Sequence, residues 1–259
     1  MYKIFALLFS LGLFFVACDD VSLDQPEIDD EITQDNMAAS KTVGDVFGAV
    51  NDGRNGGGKS AGSCPVVDYN FETWTLTLTY DETCPFSDGI VRTGVITAVF
   101  DNAEWVEGTK VTITFDNFTR NGNSISGTIQ ATNQGYDDMQ NHIFKVESIG
   151  DLTMTFSDSK TLTWNFVNYL TMTGGSNTID KADETWKSNG TSSGTARNGK
   201  TFTRVETDLL TSLDCSRFVG GTIKLTVGED DVYEMTFGPS CGDVNFKYKG
   251  INITDNLNN

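Results

Sequence analysis

One stretch of this sequence spells a phosphate-binding motif letter for letter. Gly53-Arg-Asn-Gly-Gly-Gly58-Lys59-Ser60 fits G-x-x-x-x-G-K-[ST]. In nucleotide-binding proteins that loop follows a buried parallel strand and opens a helix, whose N-terminus cradles phosphate. Here Ala61-Gly62-Ser63-Cys64-Pro65 follows, which breaks a helix, and strand-like sequence comes next. The stretch is therefore read as a flexible linker, with no nucleotide expected. His142 is the only histidine. A multi-histidine zinc site is thereby excluded, and a Ser-His-Asp triad would have to use that residue. It lies in a polar hairpin loop, Gly135-Tyr-Asp-Asp-Met-Gln-Asn-His142, entering a strand at 143–147. Glycoside hydrolysis needs only two facing carboxylates. Glu104, Asp137, Asp138, Glu229, Asp230 and Asp231 are candidates, and the last three read as a turn between strands 222–227 and 232–238. Among the four tryptophans, Trp74 and Trp164 fall in phase with apolar neighbours and are expected in the core. Trp105 and Trp186 lie near strand ends and are the candidates for stacking on a ligand. Arg92 is expected to pair with an acid on a strand face. No catalytic constellation, metal or cofactor is assigned.

Cysteine chemistry divides in two. The chain opens Met1-Tyr2-Lys3 and then runs apolar from Ile4 to Ala17, broken only by Ser10 and Gly12. One early positive charge, a short apolar run and a small residue before the cut make a secretory signal over residues 1–17. A bilayer span needs about 20 residues, so the run is a signal and not a span. Phe15-Val16-Ala17-Cys18 resembles a bacterial lipobox, with Phe where Leu is usual. That resemblance implies an acylated Cys18 as the new N-terminus, anchored in the outer membrane. The acidic run that follows, with Asp19, Asp20, Glu27, Asp29, Asp30, Glu31 and Asp35, resembles the signal that sends Bacteroidetes lipoproteins to the cell surface. The remaining four, Cys64, Cys84, Cys215 and Cys241, suggest two disulfides in an exported protein.

Composition narrows the partners. The signal segment carries one lysine and no acid, so its removal takes the net charge from −18 to −19. Such a surface repels phosphate backbones, which argues against nucleic acid. Residues 18–63 read as an acidic, then glycine-rich tether. Val43, Val46, Phe47 and Val50 mark a possible short helix at 38–50, weakened by Gly44 and Gly48.

From Cys64 onward the sequence alternates with period two. Leu76, Leu78 and Tyr80 share one face with Trp74; so do Val111, Ile113 and Phe115; Ile125, Gly127 and Ile129; Leu152, Met154 and Phe156; and Leu162, Trp164 and Phe166. Threonine fills the opposite face, the mark of half-buried antiparallel strands. Turn signals separate them at Asp88-Gly89, Asn121-Gly122, Gly174-Gly175, Asn189-Gly190, Asn198-Gly199 and Gly220-Gly221. The expectation is one all-β domain of about a dozen antiparallel strands over residues 64–254. A sandwich and a long curled sheet both fit, and residues 255–259 form a tail.

The body also repeats itself. Leu78-Thr-Tyr-Asp-Glu-Thr-Cys84 matches Met235-Thr-Phe-Gly-Pro-Ser-Cys241 in type, and each is preceded by another cysteine. Gly94-Val-Ile, Gly127-Thr-Ile and Gly221-Thr-Ile recur as well. If the two units are equivalent, the simplest pairing is Cys64–Cys84 and Cys215–Cys241.

Three stretches resemble an uncharacterised family of Bacteroidetes lipoproteins. They are residues 84–96 (CPFSDGIVRTGVI), 112–133 (TITFDNFTRNGNSISGTIQATN) and selected runs within 193–250, among them CSRFVGGTIKLT and MTFGPSCGDVNFKYKG. Cys241-Gly-Asp departs from the family's Cys-Asp. The resemblance implies a lipoprotein with an all-β body and brings no activity or cofactor with it. The functional expectation is a membrane-anchored, surface-exposed binding or structural module for a glycan or a protein. An extracellular carboxylate-dependent glycan hydrolase is the alternative.

Overall fold

A computed structural model describes residues 30–54, 64–81, 89–174, 184–212, 218–238, 240 and 243–253. Residues 1–17, read above as a signal, Cys18, Lys59-Ser60, Cys84, Cys215 and Cys241 lie outside them. One helix precedes fifteen strands. The helix is α1 (Asp30–Arg54). The first strands are β1 (Val66–Asn70), β2 (Thr75–Tyr80), β3 (Arg92–Phe100), β4 (Lys110–Arg120) and β5 (Asn123–Ser126). Then come β6 (Thr128–Tyr136), β7 (His142–Ser148), β8 (Leu152–Thr155), β9 (Thr161–Gly174) and β10 (Thr185–Thr195). The last are β11 (Thr201–Ser212), β12 (Phe218–Val227), β13 (Asp231–Phe237), β14 (Val244–Tyr248) and β15 (Ile251–Ile253).

All fifteen strands belong to one antiparallel sheet, and strands consecutive in the chain pair with each other except β5 with β6 and β7 with β8. The expectation of an all-β body of antiparallel strands, in a sandwich or a long curled sheet, fits this arrangement. In the middle, β5 and β6 form one strand bent at Gly127, and β7 and β8 form another beside it. The alternation read from the sequence is the burial pattern observed. Leu76, Leu78 and Tyr80 point inward, as do Leu152, Met154 and Phe156, and Leu162, Trp164 and Phe166. Trp74 departs from it: it closes the β1–β2 turn with φ +49° and is exposed. A residue in a left-handed turn no longer follows the strand's period.

The curl has a local cause. Gly94 (φ +89°) lies in β3 opposite Asn117 (φ +49°) in β4, and Gly221 (φ +84°) lies in β12 opposite Asp208 (φ +46°) in β11. A Cβ would come 2.3 Å from the Asn117 carbonyl oxygen at the first site and 2.2 Å from that of Asp208 at the second. Both are β-bulges, which bend a strand and increase its twist. The recurring Gly-x-Ile is the sequence trace of these bends, and Ile96, Ile129 and Ile223 two residues on are all buried. Two expected turns are also corrected. Asn189-Gly190 lies inside β10 and Gly220-Gly221 inside β12. At Gly190 a Cβ would meet Val167 O of the adjacent strand at 2.5 Å. These glycines admit a neighbouring backbone and do not reverse the chain. Asn121-Gly122, with φ +50° and +78°, is the expected tight hairpin.

The concave face encloses α1. Within residues 31–54 only Gln34 and Gly44 are exposed. Asp45 and Phe47 stand about 200° apart round a helix of 3.6 residues per turn. They touch different parts of the sheet: Asp45 meets Arg92 of β3 and Arg120 of β4, whereas Phe47 meets Phe144 of β7 and Trp186 of β10. Ile32, Val43, Val46, Phe47 and Val50 are buried, each contributing about 1.5–3 kcal/mol. That outweighs the cost of Gly44 and Gly48, about 1 kcal/mol each in a helix. The helix is thus longer than the expected 38–50, and Asp30, Glu31 and Asp35 belong to it and not to a solvated tether. It ends at Arg54, so Gly53 and Arg54, the first two residues of the phosphate-loop lookalike, are the helix's last two.

Candidate functional site

Because the chain reverses at every connection except β5–β6 and β7–β8, where one bent strand continues, the loops fall at two ends of the sheet. One end carries the β1–β2 turn (71–74), the β3–β4 loop (101–109) and the β6–β7 turn (137–141). The other carries the β8–β9, β10–β11 and β12–β13 turns. The start of α1 belongs to this second end. Arg197 of the β10–β11 turn lies 3.0 Å from Asp35, 3.4 Å from Glu31 and 3.7 Å from Asp158. Burial pushes the Asp35 carboxyl up to about 6, against the pull of Arg197 and with help from Glu31.

The first end is aromatic. A chain of ring contacts runs Phe71, Tyr69, Phe100, Trp105, Phe144, His142, Tyr136, with centroid separations from 4.1 to 6.3 Å. The Arg54 guanidinium, at the end of α1, packs 5.4 Å from the Tyr69 centroid and 5.2 Å from that of Phe100. It also donates to the Ala103 carbonyl. Trp105 stacks on Phe144 at 5.9 Å and 12°, and Trp186 meets the same ring at 6.1 Å. The two tryptophans singled out in the sequence therefore converge through Phe144, although 81 positions separate them in the chain. Both are half-buried against the core and support the end more than they present it. The exposed side chains are instead Phe71 (73%), Met139 (76%), Tyr136 (59%), Val106 and Trp74. These five are among twelve exposed large apolar side chains in the described residues, gathered on three adjacent hairpin tips.

Buried polar side chains hold the tips in shape. Asn133, 1% exposed, donates to Trp105 O at 2.8 Å and accepts from Gly135 N, fastening the β3–β4 loop to β6. The Asp137 carboxylate accepts from the Met139 and Asn141 amides and the Asn141 side chain. Those hydrogen bonds hold its pKa below the usual carboxylate range. His142 stacks on Tyr136, and partial burial lowers its pKa. Sequence reasoning missed Asn133, whose role depends on a loop 24–28 residues away.

The six carboxylates proposed for a hydrolase divide between the two ends. Glu104, Asp137 and Asp138 lie at the aromatic end, and Glu229, Asp230 and Asp231 at the other. Asp231 accepts from the Tyr248 hydroxyl at 2.7 Å and pairs with Lys249 at 3.0 Å. Arg92 pairs with Asp45 of the helix at 2.7 Å. Among the described residues no three potential metal ligands cluster, and no helix is long and apolar enough to cross a membrane. A buried network joins α1 to the sheet: Arg204 pairs with Glu206 at 2.8 Å and donates to Ser40, and Ser188 donates to Glu206 at 2.6 Å. The adjacent cavity, about 20 Å³, is lined by Ser40, Trp164, Asn168 and Ser192. Such a volume holds about one water molecule, not a sugar ring. Cys64 is disulfide-bonded, with its partner outside the described residues. Compared with protein-family models, curated proteins and solved structures, the chain matches none.

Proposed function

We propose that this chain is a lipoprotein, acylated on Cys18 and displayed from the outer membrane at the cell surface, whose aromatic end binds a ligand. The observation that carries the reading is the separation of the two ends. α1 starts at one end, and the exposed apolar tips gather at the other. Because α1 starts at Asp30, only eleven residues, 19–29, separate Cys18 from the packed helix. Eleven residues reach at most about 40 Å when extended. The longest strand, β9, has 14 residues, a rise of about 46 Å. An anchor at Cys18 holds the near end close to the membrane and points the tips away from it. The occupied concave face and the 20 Å³ cavity favour a ligand bound on the outside over one bound within.

The disulfides are proposed to be Cys64–Cys84 and Cys215–Cys241. Val66 pairs with Thr79, so the strand ends next to Cys64 and Cys84 lie side by side at one end. Thr222 pairs with Thr236, and the strand ends facing Cys215 and Cys241 lie together at the opposite end. The test of the reading has two arms. Labelling with an alkyne fatty acid should mark the wild-type chain and not Cys18→Ala. A glycan array and a peptide array should give binding that Phe71→Ser/Met139→Ser abolishes. Unlabelled wild-type chain, or binding indifferent to those tips, overturns the corresponding half.

A further inference from the structure

Charge narrows the ligand of the aromatic end. The three tips carry Glu72 in the first turn, Asp101, Glu104 and Glu107 in the second loop, and Asp137 and Asp138 in the third turn. No lysine or arginine occurs within 71–74, 101–109 or 136–141. The Arg54 guanidinium beneath them is committed to Tyr69, Phe100 and Ala103 O. Each tip thus pairs an exposed apolar side chain with acids beside it: Phe71 with Glu72, Val106 with Glu107, and Met139 with Asp138. Resting on the reading that this end binds the ligand, we propose that its partner is a basic, apolar segment of another protein.

The spacing sets the footprint. Neighbouring tips are two strands apart, about 10 Å at the usual strand separation, so the row spans about 20 Å. An extended segment of about six residues covers that length at 3.3 Å per residue. Its apolar side chains would rest on Phe71, Val106 and Met139, and its lysines or arginines would lie against the flanking carboxylates. Hairpins held by Asn133 and by the Asp137 turn are already in shape, so little ordering cost opposes binding. Anionic lipid, nucleic acid and acidic glycans are repelled by the same six acids. A neutral glycan gains nothing from them.

The test uses the mature chain in detergent and an eight-residue peptide of alternating lysine and leucine, measured by fluorescence anisotropy at low and high salt. Binding should weaken steeply with salt. Glu104→Gln/Asp138→Asn should weaken it by about tenfold, whereas Glu229→Gln/Asp230→Asn, an equal charge change at the far end, should leave it within about twofold. Phe71→Ser/Met139→Ser should also weaken it by about tenfold. Equal loss from both charge pairs would reduce the interaction to net charge alone and overturn the proposal. Absent peptide binding with tip-dependent binding of a neutral glycan would overturn the basic partner and leave the aromatic end as the ligand site. Tip-independent binding of both probes would overturn the two together.

Discussion

Asp35 makes folding of this protein depend on pH in a direction opposite to that of most carboxylates. Its side chain is 1% exposed, sealed between α1 and the β10–β11 turn, and its carboxyl is raised from 3.8 to about 6. Between those values the folded chain holds a proton that the unfolded chain has released. Stability therefore falls as pH rises from about 4 to 6, and the loss is complete above 6. Two pKa units correspond to at most about 3 kcal/mol. Asp35→Asn removes the titration and keeps the shape. Urea unfolding of both proteins should show them similar near pH 4, with the variant gaining up to about 3 kcal/mol by pH 7. His142, whose pKa is lowered, contributes stability at high pH that is lost as pH falls below its ordinary value, and Asp137 and Asp231 act below about 4. All three are shared by the two proteins and cancel in the difference. A difference that stays constant from pH 4 to 7 would refute the burial argument.

The bulges predict a contrast between glycines. Gly94→Ala and Gly221→Ala drive a Cβ into backbone and should each cost about 3 kcal/mol or more, whereas Gly108→Ala, at φ +86° in open space, should cost about 1 kcal/mol, all read by thermal unfolding. Arg204→Ala strands a buried Glu206 and should cost about 3–5 kcal/mol, and Arg204→Met/Glu206→Leu together should cost less than Arg204→Ala alone. Phe144→Ala removes the ring on which Trp105 and Trp186 meet; it should cost about 3–5 kcal/mol and red-shift the tryptophan emission. Non-reducing peptide mapping should join Cys64 to Cys84 and Cys215 to Cys241, and recovery of Cys64 joined to Cys215 would end the duplication argument.

Strands were legible because their signal is local. The inward phase of Leu76, Leu78 and Tyr80 requires only alternate positions and a polar opposite face. Helix α1 was half hidden because its buried stripe includes Asp35, Asn36 and Thr42. Asn36 and Thr42 satisfy themselves on the carbonyls of Ile32 and Ala38, and Asp35 is answered by a strand turn 162 positions away. No window of sequence contains that partner. Glycine was ambiguous for a related reason. Asn121-Gly122 reverses the chain, while Gly220-Gly221 bends it, and the difference lies in the strand alongside. The aromatic end was legible in part. Trp105 and Trp186 were singled out by position as exposed stacking candidates, whereas both are half-buried, and their meeting on Phe144 is a property of the sheet. Trp74 left the core because a turn intervened.

The central claim is an anchored body whose tips point outward from the cell. A short epitope inserted after Met139 and probed with antibody on intact cells tests it directly. The account predicts strong labelling of intact cells that is lost from the cell surface with Cys18→Ala. Labelling that appears only after the outer membrane is permeabilised, or that persists on the surface without Cys18, would contradict it.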